Sequence, residues 1–171
     1  LDTKLGETPN LYIQFLDLKK RTLKLIHTYF FQVIFFNHTG THFAWSDGQC
    51  VKILDLQQNT TVELDVQRTQ FLEWSPKDTF LATWEVFAVR EGKQDPNLRI
   101  WDMKGDLKAS FVSRKSEGWA PRWSNTEEYV AVQTLNREVA YYKNQDFQSA
   151  EKKLSLAKMD SYSVSPNGKS K

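Results

Sequence analysis

A short pattern restarts four times along this 171-residue chain, and that recurrence constrains its fold more than any single residue. Phe36-Asn37-His38-Thr39-Gly40, Trp74-Ser75-Pro76-Lys77-Asp78, Trp123-Ser124-Asn125-Thr126-Glu127 and Val164-Ser165-Pro166-Asn167-Gly168 share one layout. Each has an apolar anchor, a small polar residue, then turn-forming residues. The anchors at 36, 74, 123 and 164 are spaced 38, 49 and 41 residues apart. Periods of about 40 residues mark β-propeller blades, in which a four-stranded sheet recurs around an axis. The pattern predicts an all-β fold: a partial WD40-like β-propeller of about three to four blades, each an antiparallel four-stranded sheet.

Propeller rings typically close with about four to eight such blades, whereas this chain holds about three complete repeats plus two partial ones. Residues 33–171 read as consecutive blades of an incomplete ring, and 1–32 as a partial blade or ring-closing strands. Leu1 in place of Met is expected where a natural start is missing or processed. Lys and Arg number 23 against 21 Asp and Glu. So slight an excess gives no overall nucleic-acid signature, and any RNA contact must come from a local patch. Cys50 is the only cysteine, which excludes an internal disulfide and fits a reducing compartment. No apolar run approaches the roughly 18 residues of a membrane span, and the first 30 residues lack a signal-peptide layout. The expectation is a soluble, cytoplasmic protein with no membrane contact.

Leu11–Leu18 and Leu23–Tyr29 read as strands around the charged turn Lys19-Lys20-Arg21. Tyr29–Phe36 reads as a buried strand. In the clearest repeat, Phe71–Trp74 is an inner strand and Ser75–Asp78 its turn, where Pro76 fixes φ and cannot extend a central ladder. Phe80–Trp84 is nearly all apolar, as expected of a strand covered on both faces. Leu98–Met103 and Lys108–Phe111 complete that blade. His42–Trp45 and Val51–Leu56 match it upstream, and Tyr129–Val132 and Glu138–Tyr142 downstream. The long spacing of 49 comes from an insertion, Glu85 to Asn97, and such insertions map to loops on one face. Only Ser149–Lys158 has mixed helical and strand character.

Phe71-Leu72-Glu73-Trp74-Ser75-Pro76-Lys77, followed by Leu81-Ala82-Thr83-Trp84 and Pro96-Asn97-Leu98, is more particular than a generic blade. With Phe43-Ala44-Trp45, Pro121-Arg122-Trp123-Ser124 and Asn136-Arg137-Glu138-Val139, it resembles the N-terminal propeller of eukaryotic translation initiation factor 2A. The resemblance covers most of residues 33–168. It implies a large propeller that engages the small ribosomal subunit and supports initiator tRNA delivery. Initiator tRNA, mRNA and other initiation factors are the partners it implies. Two departures stand out: most of the ring and the charged C-terminal region of that family lie outside this chain. The Gly-His dipeptide of standard WD repeats is also missing, and Trp101-Asp102 is the only Trp-Asp pair. The propeller of initiation factor 3 subunit b, a scaffold with the same Trp-Ser-Pro style, is the alternative, beside a generic WD-repeat protein-interaction module.

Trp45, Trp74, Trp84, Trp101 and Trp123 fall at strand positions, which assigns them to packing rather than base stacking. Trp119, in the loop Ser116–Ala120, is the one expected to be exposed. Basic clusters at Lys19-Lys20-Arg21 and Arg114-Lys115 are the candidate ribosome or RNA contacts, together with Trp119, because basic side chains displace counterions from phosphates. Lys152-Lys153, Lys169 and Lys171 read as solvated charge. Gly168-Lys169-Ser170 imitates the end of a P-loop, but Ser163 stands where the first glycine is required. His27, His38, His42 and Cys50 form no zinc spacing. The sequons at Asn37 and Asn59 have no secretory context. No catalytic constellation, metal site or cofactor is expected, so the chain reads as a binding module rather than an enzyme.

An open arc leaves apolar blade faces and unpaired strand edges at its ends, which promotes association. The isolated chain is expected to self-associate; sedimentation velocity showing a monomer over a wide concentration range would contradict this.

Overall fold

Short runs of β-branched and aromatic residues, each stopped by Gly, Pro, Asn or Asp, set the architecture. A computed structural model describes residues 12–17, 22–27, 33–113, 119–134, 138–143, 145–155 and 162–166. Within them run β1 (Tyr12–Asp17), β2 (Thr22–His27), β3 (Val33–Phe36), β4 (His42–Ser46), β5 (Val51–Asp55), β6 (Thr60–Leu64), β7 (Thr69–Trp74) and β8 (Phe80–Glu85). Then come β9 (Val89–Arg90), β10 (Lys93–Gln94), β11 (Leu98–Asp102), β12 (Leu107–Phe111), β13 (Arg122–Trp123), β14 (Tyr129–Gln133), β15 (Glu138–Lys143) and β16 (Lys152–Ser155). Three antiparallel four-stranded sheets result, ordered β3-β4-β5-β6, β7-β8-β11-β12 and β13-β14-β15-β16. β1–β2 and β9–β10 are two-stranded hairpins. No helix among the described residues is long and apolar enough to cross a membrane.

The middle strands explain why the blades stack. Leu81 and Trp101 are cross-strand partners on one face of the second blade, and Ala82 and Ile100 on the other. The first pair packs with Ala44, Val51, Ile53 and Leu64 of the first blade. The second packs with Val130, Val132, Ala140 and Tyr142 of the third. Hence β8 is apolar almost throughout: neither of its faces meets water. A fully buried large apolar side chain stabilises by about 1.5–3 kcal/mol, so the inter-blade faces carry most of the stability.

Two of the anchors, Trp74 and Trp123, lean back on the preceding blade. Trp74 is buried against the first blade and donates its indole N–H to the Phe35 carbonyl at 3.4 Å. Trp123 stacks on Phe80 with centroids 5.4 Å apart and planes 10° apart. Trp101 donates to Thr83 Oγ1 at 3.0 Å inside the second blade. The fit is close at Gly105 (φ +89°), where a Cβ would stand 2.7 Å from Val62 Cγ1 of the first blade.

The recurring small polar residue has a definite task. Phe80 N donates to Ser75 Oγ at 2.9 Å while Ser75 N donates to the Phe80 carbonyl at 2.9 Å. Ser124 and Tyr129 repeat both bonds, and Asn37 does the same with His42 through its side-chain carbonyl. The oxygen thus ends the inner strand and starts the next in every blade. The fourth turn residue is left-handed each time: Gly40 at +68°, Asp78 at +61° and Glu127 at +57°. Asp78 reaches back to the first blade, accepting from the amides of His38 (2.9 Å) and Thr39 (3.0 Å) and from His38 Nδ1 and Thr39 Oγ1, both at 2.8 Å.

Several strand expectations shift. The insertion is not a plain loop but carries the β9–β10 hairpin. Ser149–Lys158 resolves as the outer strand β16 over Lys152–Ser155. The expected buried strand over Tyr29–Phe36 is corrected: the described part is β3, and Phe35 and Phe36 keep 47% and 52% of their surface exposed. β3 is the innermost strand of the first blade and, among the described strands, pairs with β4. Residues 29–32 lie outside the described residues.

Burial alone would raise the Asp78 carboxyl, but the donors of His38 and Thr39 outweigh it and hold the group below its ordinary value. A carboxyl lowered on folding stabilises above its unfolded pKa and loses that contribution as pH falls through the folded one. Asp78→Asn is therefore expected to lower urea stability by about 1–2 kcal/mol at neutral pH. The gap should close as pH drops below the ordinary carboxylate range, and a gap unchanged in acid would refute the assignment.

Candidate contact surface

Antiparallel order sends the turns of the blades to one end of the arc and the long connections to the other. The β8–β11 insertion and the β12–β13 link both leave from the second end. Asn97 ties them together there. It is buried at 2% exposure, and its amide donates to the carbonyls of Glu85 (2.9 Å) and Ser113 (2.7 Å). Its side-chain carbonyl accepts Ser113 N at 2.7 Å. Two donors and one acceptor on a short side chain suit Asn and no apolar residue. Glu85 N donates to the Asn97 carbonyl at 2.9 Å, and Arg99 pairs with Glu85 at 2.7 Å. The insertion therefore departs from a rigid, fully bonded base.

Beyond that base, β9 and β10 are joined by Glu91 and Gly92 with φ of +50° and +76°. Two left-handed residues in a two-residue loop match the twist of a hairpin. Val86 and Val89 are exposed, as are Lys93 and Gln94. Beside the base, Trp119 stacks on Phe71 with centroids 5.7 Å apart and planes 17° apart, and lies 6.5 Å from Trp84. The expectation of an exposed Trp119 is corrected: the ring is half-buried, because Phe71 and Trp84 cover its face. Phe71 supplies the exposed aromatic surface instead, at 40%. The stack anchors Trp119 onto the second blade.

Asp55, Asp78, Asp102 and Glu127 lie at the turn end beside Lys77, Lys104 and Lys108, and the side chains of Asp78 and Glu127 are buried there. The amide of Gln58 lowers the Asp55 carboxyl. Burial would raise that of Asp102, but Lys108 and the amides of Asp106 and Lys104 lower it overall. The insertion end carries Arg68 and Lys93 among Asp47, Asp65, Glu91 and Asp95. Burial raises the Glu73 carboxyl on β7 and pushes the Tyr162 phenol up to about 12, with Arg122 opposing both.

Of the expected contact residues, Trp119 alone lies within the described residues; Lys19, Lys20, Arg21, Arg114 and Lys115 lie outside them. So do Lys169, Lys171 and the Gly168-Lys169-Ser170 run. His38 bonds Asp78, and His42 Nδ1 lies 2.9 Å from Thr41 Oγ1. Asn37 is buried at 5% and spent on Thr39, Thr41 and His42, so its sequon serves the turn. Burial and then Asp47 push the Cys50 thiol up, which disfavours a reactive thiolate. Asn97 was not singled out as a site residue, although its place after Pro96 at the end of the insertion marks the boundary it closes. The acids at the fourth turn position were hidden because a turn carboxylate looks solvated in sequence.

These features define a β-propeller arc of WD-repeat type. Translation initiation factor 2A of Caenorhabditis elegans is 28% identical to this chain over 142 residues, covering 78% of the chain and 25% of that protein. The Drosophila melanogaster initiation factor 2A is 27% identical over 118 residues, covering 64% of this chain and 18% of that protein. The chain thus spans a quarter or less of these relatives. A crystal structure of a eukaryotic initiation factor superposes with a TM-score of 0.74 at 22% identity, over 95% of this chain and 44% of the other. The C-terminal WD40 domain of Sif2 superposes with 0.57 at 11% identity, over 83% and 41%. Both structural likenesses establish the fold. No protein-family model matches. The chain is an initiation-factor-2A-like partial propeller.

Asn97→Ala should leave the Glu85 and Ser113 groups without their partner, at a cost of about 2–4 kcal/mol. Limited proteolysis should then cut faster within 86–97; unchanged cleavage would show that the hairpin does not depend on this base.

Proposed function

We propose that this chain is the propeller region of a translation initiation factor, a non-enzymatic cytoplasmic module that binds the small ribosomal subunit and supports initiator tRNA delivery. The observation that carries the reading is the similarity to initiation factor 2A of worm and fly over 78% and 64% of the chain. Residues 33–171 supply consecutive blades of a larger ring, and 1–32 a partial blade or its closing strands. Recognition works by shape: rigid blades display loops, and short basic segments neutralise phosphates of ribosomal RNA. mRNA and other initiation factors are further partners on this reading.

The insertion end is the contact face we favour, since the exposed β9–β10 hairpin and the exposed edge of Phe71 lie there. Lys19, Lys20, Arg21, Arg114, Lys115 and Trp119 are the proposed ribosome or RNA contacts.

Binding of the chain to purified small subunits, measured by co-sedimentation against salt, tests this. Arg114→Glu with Lys115→Glu should weaken binding about tenfold and flatten its salt dependence. Unfolding in urea should be unchanged. Absent binding by the native chain, or binding indifferent to both substitutions and to salt, would overturn the reading.

A further inference from the structure

The left-handed fourth position of the turn is equipped differently in each blade. Between the first and second blades, Asp78 receives four donors on two carboxylate oxygens. Between the second and third, Glu127 occupies the equivalent position and also reaches back by one blade. It receives one bond, from Lys77 N to Oε1 at 2.6 Å. The reason is in the turn it meets. Pro76 stands where His38 donates its amide and has no N–H, and Lys77 stands where Thr39 donates a hydroxyl and has none. Glu127 is only 3% exposed, and its Oε2 is buried with no hydrogen-bond partner among the described residues. Gly40 in the first blade has no side chain to extend to any neighbour.

We infer that the fourth turn position is a directional latch, tying each blade to the turn of the blade before it, and that the latch between the second and third blades is held half-closed by Pro76 and Lys77. A buried carboxylate oxygen without a donor weakens the state that buries it. The turn end of the second seam therefore opens more readily than that of the first, although the apolar cluster beneath joins the same two blades. Opening frees the 75–78 and 124–127 turns without separating the blades, which gives the arc one compliant rim position beside a fixed one.

Amide hydrogen exchange of the whole chain, read residue by residue by NMR, tests the grading. After correction for intrinsic rates, the Lys77 amide should exchange about tenfold faster than that of Thr39. Lys77→Thr supplies the missing hydroxyl at an exposed position and should slow exchange at residue 77 about tenfold. In a Glu127→Gln background that gain should shrink, since the charged acceptor is gone. Asp78→Asn should speed His38 and Thr39 and leave residue 77 alone. Equal protection at the two seams overturns the proposal. So does a Lys77→Thr chain with no slowing, which decides the matter even if Glu127→Gln fails to fold.

Discussion

One hydrogen-bonded turn supports everything else in this arc. A side-chain oxygen from Asn37, Ser75 or Ser124 accepts the amide five residues on, so the inner strand stops and the second begins at a set point. Register follows from that point. A slip by one residue would send Leu81 and Thr83 to the third blade and Ala82 and Trp84 to the first, reversing both packed faces. Because the oxygen also satisfies a backbone donor, the turn can sit against neighbouring blades without an orphaned N–H.

Packing then extends the register from sheet to sheet. The second blade has no solvent face in its middle strands, and its two clusters commit it to neighbours on both sides. Carboxylates of the turns add a polar seam above the apolar one. At the opposite end the chain is free to vary, and the insertion between β8 and β11 uses that freedom. Asn97 closes the insertion with bonds to both flanking segments, so the hairpin grows from the sheet without disturbing it. The ends of the blades thus differ in kind: one is a row of hydrogen-bonded turns, the other carries the exposed hairpin and the Phe71–Trp119 stack.

Much of this was legible in residue order. The blade count, the strand order within blades, the buried run Phe80–Trp84 and the packing role of Trp45, Trp74, Trp84 and Trp101 all followed from local signals. Those signals are local because turn chemistry and two-sided burial act within about ten residues. Trp119 went the other way. Its neighbours in sequence are small and polar, and only the approach of Phe71 from an earlier strand covers it. Phe35 and Phe36 failed for the converse reason: their sequence is that of a core strand, but their position is the inner edge of the first blade.

The sequence by itself determined that the chain would form propeller blades and where each would begin, because the turn motif and the apolar runs encode their own geometry. The tertiary structure alone decided which groups meet across blades. Asp78 finds His38 about 40 residues away, and Glu127 finds Lys77 about 50 away. Such partners depend on the angle at which whole sheets stack, and no local pattern records that angle. The physical reason is range: hydrogen bonds within a turn are fixed by a few dihedrals, whereas bonds between turns exist only once two apolar faces have closed.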